Sequence, residues 1–120
     1  MLLVVAAAGW LIYAKGGGER ELAWRDASAT LGSPRFPKRK LEVHRDHDET
    51  VLIALGPRSS TGYDLRILRV IERRRSIVVV ARERTPGLGE RVEPRVTFPY
   101  RLIEFRRSDK PVRLRLEGRP

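Results

Sequence analysis

Ile77–Ala81 reads Ile-Val-Val-Val-Ala, five apolar residues without a polar break, most of them β-branched. Such a run is too short for a globular helix, and its branched side chains favour a strand. A strand that is apolar on both sides must be covered on both, so the chain needs a second layer, either another sheet or a helix. The opposite pattern occurs at the other end of the sequence. Val112, Leu114 and Leu116 alternate with Arg113, Arg115 and Glu117, which gives a strand with one buried and one wet face.

Similar runs fill the space between. Leu41–Arg45, Thr50–Leu55, Tyr63–Ile71, Ile77–Arg84, Arg95–Phe98 and Tyr100–Arg106 are rich in Val, Ile, Leu and aromatics and are bounded by Gly, Pro or charged clusters. The connections are short and no long helical pattern separates the runs, so βαβ crossovers are not expected. Glu19–Leu31 places Leu22, Ala23, Ala27 and Leu31 near one helical stripe, stopped by Gly32-Ser33-Pro34, which predicts one short helix. Ser33–Lys40 is a basic, proline-rich loop. The expected architecture is mainly β: a small antiparallel sandwich or partly open barrel with one short N-terminal helix. At 120 residues it forms one domain, residues 19–120.

Met1–Ala14 carries no charge, and Lys15-Gly16-Gly17-Gly18 then breaks the pattern. As a helix the apolar part would be about 21 Å long, short of the roughly 30 Å of a bilayer's hydrocarbon. It has the length of a signal peptide's apolar region without the basic residues that normally precede one, and Trp10 and Tyr13 would suit a membrane interface. Residues 1–18 therefore read as a signal peptide or membrane anchor with a glycine linker, and residues 1–14 as the part that meets a membrane, with a buried N-terminal helix or strand as the alternative. A cell-envelope location, anchored or secreted, follows.

Twenty-five Lys and Arg oppose 15 Asp and Glu, for a net charge of +10. That excess suits anionic surfaces without choosing among them. Aromatics are few and no nucleic-acid-binding motif occurs, so a basic nucleic-acid-binding β-domain is only an alternative. With no cysteine in the chain, disulfides, thiolate metal sites and cysteine nucleophiles are excluded. His44, Asp46, His47, Asp48 and Glu49 include metal-ligating types, but on a strand His44, Asp46 and Asp48 share one face while His47 faces the other way, so no metal site is assigned. Ser59 and Ser60 lack a nucleophile elbow, the glycine triplet follows no strand, and no catalytic set or cofactor motif emerges. The expectation is a protein that is not an enzyme and takes no cofactor.

Three pieces recur in a recognisable order: Ser60-Thr61-Gly62-Tyr63 opening one strand, Pro86-Gly87 in the loop leaving the next, and Thr97-Phe98-Pro99-Tyr100 entering another. From about Val51 to Leu116 this arrangement resembles the C-terminal domain of the PrcB family, small exported bacterial proteins named after a protease-complex subunit. Thr61 stands where that family tends to have glycine. A β-branched residue resists positive φ, so only Gly62 is expected to adopt it. The resemblance implies a non-enzymatic exported subunit that stabilises or accompanies a protease. Ser59, Ser60, Thr61, Gly62, Tyr63, Pro86, Gly87, Gly89, Pro99 and Tyr100 are then the candidate partner-binding residues. The same positions loosely resemble the loops of chagasin-like protease inhibitors, without the Asn-Pro and tryptophan found there, so inhibition is a further alternative. Read from residue chemistry alone, these positions are turn and strand-entry punctuation.

Overall fold

The structure, a computed structural model, describes residues 12–14 and 19–118. Among the described residues nine strands form two sheets. The strands are β1 (Ile12–Ala14), β2 (Arg20–Leu22), β3 (Trp24–Asp26), β4 (Lys40–Arg45), β5 (Glu49–Ala54), β6 (Asp64–Glu72), β7 (Ile77–Arg84), β8 (Tyr100–Phe105) and β9 (Val112–Leu116). One sheet has the order β1-β2-β6-β7-β9 and the other β3-β8-β5-β4, and neither closes into a barrel. The expected leader or anchor with its linker, residues 1–18, lies outside the described residues except for β1. Among the described residues no helix is long and apolar enough to cross a membrane.

Alternation along each strand builds the core. Val51, Ile53, Leu65, Val70, Ile77, Val79, Ile103 and Phe105 are wholly buried between the sheets. Each such side chain contributes about 1.5–3 kcal/mol by leaving water. Ile77–Ala81 is buried on both faces, as its unbroken apolar run requires, and the second layer opposite it is the four-stranded sheet.

Three expectations need correction. Over Glu19–Leu31 the chain forms β2, β3 and a short 3₁₀ turn (Ser28–Leu31) instead of a helix. Leu22 and Trp24 meet the core with a period of two: Leu22 pairs with Val70 in one sheet and Trp24 with Phe105 in the other. Ala23 alone separates the two strands, so this segment staples the sheets along one side, and long-range pairing overrides a weak helical stripe. The 3₁₀ turn is held by Ser28, whose Oγ accepts a hydrogen bond from Leu102 N at 2.9 Å. Second, β9 lies parallel to β7. Because β8 belongs to the other sheet, the chain has already reversed direction when it crosses back at residues 106–111. Third, Arg95–Phe98 is no strand beyond a single bridge between Thr97 and Arg58. Pro94 and Pro99 bracket it and cannot donate to a ladder.

Topology also fixes which connections meet. The links β3–β4, β5–β6 and β7–β8 all lie at one end of the sandwich, here termed the upper end, since Ala54 pairs with Tyr100 and Asp64 with Arg84. The β4–β5 and β6–β7 hairpins lie at the lower end. That places His47 and its acidic neighbours far from the loops of interest. Glu49 is wholly buried there and accepts a hydrogen bond from Ser108 N at 3.2 Å.

Candidate functional site

Two crossovers between the sheets, residues 55–63 and 85–99, run side by side at the upper end. Their backbones are joined at three points, the first being Leu55 N to Pro99 O. Arg58 and Thr97 exchange N–H···O bonds of 2.8 and 3.0 Å, and Thr61 N donates to Glu93 O at 3.1 Å. Side chains extend the seam: Glu93 N donates to Thr61 Oγ1 at 2.9 Å, and Thr97 Oγ1 donates to Ser60 O at 2.8 Å. Thr61, the departure from the family pattern, thus contributes a hydroxyl that pins the second loop. Gly62 takes the positive φ of the turn, 96°.

Charged pairs brace the seam from below. Arg58 grips Glu83 through both carboxylate oxygens at 2.5 and 3.1 Å, and this half-buried contact raises the guanidinium's pKa. Arg84 donates to both Glu90 oxygens at 3.1 and 2.6 Å and also to Gly62 O at 2.5 Å. Hydrogen bonding from Arg84, then from Gly87 N, holds the Glu90 carboxyl below its ordinary pKa. The Pro86–Glu90 turn is therefore a rigid projection.

Of the residues singled out in the sequence, Ser59, Ser60, Thr61, Gly62, Pro86, Gly87 and Gly89 come together on this seam, with Tyr63 following Gly62. A Cβ on Gly62 would stand 2.9 Å from Pro86 Cγ, so the two loops touch at that point. Gly89 has φ 81° with open space around it. Pro99 is buried, and its carbonyl accepts from Leu55 N at 3.0 Å. The Tyr100 hydroxyl donates towards Ser28 O and Gly32 O, at 3.0 and 3.2 Å, while its ring lies 5.6 Å from that of Phe36. These two residues anchor the third upper connection. Tyr63, Thr97, Phe98 and Arg101 border a shallow groove of about 210 Å³ between them and the seam.

Sequence reasoning missed the exposed apolar side chains here. Leu88 is fully exposed at the tip of the turn, and Val92 and Val96 follow at 40% and 58% exposure. A leucine flanked by Gly87 and Gly89 is the signal that could have found the tip, since no strand or helix can bury it there. Arg58, Glu83 and Glu90 were also missed, because charged residues in loops read as solvated. Among the described residues no cluster of three or more His, Asp or Glu could hold a metal ion.

No curated protein and no solved structure matches the chain. A family model does match, over the stretch that contains β5 to β8 and both crossovers of the seam. Residues 50–106 fit the model described as PrcB C-terminal, and this part of the chain is a PrcB C-terminal-like domain.

Proposed function

We propose that the chain is a non-enzymatic, exported or membrane-anchored protein-binding domain that acts as an accessory or stabilising subunit of a protease complex. The apolar residues ahead of β1 hold it at the membrane in this reading, and the partner docks at the upper end. The observation that carries the proposal is the apolar tip: Leu88, Val92 and Val96 stand in water on a loop that hydrogen bonds and ion pairs hold rigid. Exposed apolar groups on a preorganised loop lose little entropy when a partner covers them. The PrcB family match supports a protease complex as the setting. In this arrangement Pro99 and Tyr100 support the docking surface from inside, and Ser59, Thr61, Pro86 and Gly89 border it.

The test is co-purification of the full chain from membrane and secreted fractions of its source cells, beside a Leu88→Asp variant. Leu88 touches nothing that the fold needs, so the variant should melt within about 0.5 kcal/mol of the parent. Recovery of a protease subunit with the parent and its loss with the variant is the expected result. Recovery of the same protease with both chains at equal yield would remove the tip from the interface.

A further inference from the structure

We propose that the outer face of the five-stranded sheet is a binding surface for anionic lipid headgroups. The inference rests on the membrane reading above and concerns residues far from the protein-docking end. Register assigns the face. Leu65, Ile67, Val70, Val79, Ala81 and Leu114 point into the core, so Arg66, Arg69, Arg82, Arg113 and Arg115 point away from it. They stand in rows across the sheet: Arg69, Val80 and Arg115 in one, Glu21, Ile71, Val78 and Arg113 in the next, with Arg66 directly opposite Arg82.

What sets this face apart is the gathering of cations on one surface. Arg66, Arg82, Arg113 and Arg115 make no ion pair or side-chain hydrogen bond among the described residues, and neither do Arg35, Arg91 and Arg106 elsewhere, but here the register places four such arginines on one side of one sheet. Arg69 meets Glu117 only at 3.8 Å. Moreover, like charges placed directly across a strand pair destabilise a sheet, as Arg66 and Arg82 must. A fold that keeps this arrangement leaves the cations free for an external anion, and the flat array matches a plane of phosphates better than a point ligand.

The observations favour a bilayer over nucleic acid. The rows offer, in β6, β7 and β9, no aromatic ring on which a base could stack. The uncharged residues Met1–Leu11 lead directly into β1, the edge strand of this same sheet. An apolar segment in the membrane would thus tether the very sheet that carries the arginines.

The experiment measures sedimentation of the full chain with vesicles of phosphatidylcholine alone and with about a third phosphatidylglycerol. Binding to neutral vesicles reports the apolar segment, and the increment on anionic ones reports the face. Each arginine near an anionic surface is worth roughly fivefold in partitioning. The Arg66→Gln, Arg113→Gln, Arg115→Gln variant should therefore lose the increment by on the order of a hundredfold, while melting no lower than the parent. An Arg35→Gln, Arg91→Gln, Arg106→Gln variant of equal net charge should keep most of it. An arginine-dependent increment without neutral binding would uphold the face and overturn the anchor. No increment, an equal loss in both variants, or an oligothymidylate that binds through the same arginines more tightly than the vesicles would overturn the proposal.

Discussion

Replacing Gly62 with alanine tests whether the two loops at the upper end form one body. The new Cβ would sit 2.9 Å from Pro86 Cγ, 3.1 Å from Glu90 Oε2 and 3.1 Å from Val92 Cγ1, at a residue with φ 96°. Forcing a side chain into that backbone region costs about 1–3 kcal/mol. The clash adds about 1–3 kcal/mol if the neighbours cannot give way, and Glu90 is fixed by Arg84. Stiffening the unfolded chain offsets about 0.4–1 kcal/mol. The net expectation is a loss of about 2–4 kcal/mol in urea unfolding followed by circular dichroism. Gly62→Ala combined with Pro86→Ala removes the nearest atom of the clash and should recover about 1 kcal/mol relative to the sum of the single changes. A single variant within about 0.5 kcal/mol of the parent, or strict additivity in the double one, would refute the contact between the loops.

Three further outcomes follow from the same geometry. The Glu90 carboxyl has a folded pKa held below its unfolded one by Arg84 and then Gly87 N, so its contribution is present above the unfolded pKa and disappears as pH falls through the folded one. Protection of the Gly87 amide, taken relative to its intrinsic exchange rate at each pH, should fall over that acid range and lose this pH dependence in Glu90→Gln. A double-mutant cycle on Arg58 and Glu83, about a quarter exposed each, should give a coupling of about 1 kcal/mol in denaturant unfolding, and zero coupling would show the pair to be incidental. Phe105→Ala, at a wholly buried position pairing with both Trp24 and Glu49, should cost about 3–5 kcal/mol, read as a fall in the denaturant midpoint.

The strands were legible wherever side-chain alternation or β-branched runs decide the matter. Ile77–Arg84 has the same limits in sequence and structure, and Val112–Leu116 falls within one residue of its expected end. Glu19–Leu31 was misread because Leu22, Ala27 and Leu31 fit a helical stripe as well as Leu22 and Trp24 fit an alternation. Only the partners Val70 and Phe105, remote in sequence, choose between them. The turn at Gly62 could be read from residue type, since it occupies the positive φ that Thr61 avoids. Its contact with Pro86 could not, because the adjacency follows from two crossovers ending at the same level of the sandwich. Leu88 escaped notice for the reverse reason. An isolated leucine in a glycine turn carries no periodic signal, and its exposure becomes visible only once the turn is placed.

The parallel pairing of β9 with β7 sets a schedule for folding. β7 gains its last neighbour only when residues 112–116 arrive, after β8 has been laid into the other sheet. Until then the edge of Ile77–Ala81, an uncharged and mostly β-branched run, is open to any passing strand. A ribosome-bound or half-translocated chain cannot finish this sheet, and pairings so distant in sequence form slowly. Loss of Val112–Leu116 would therefore leave that edge bare. Until Val112–Leu116 is in place, that edge stays available to any other strand that meets it.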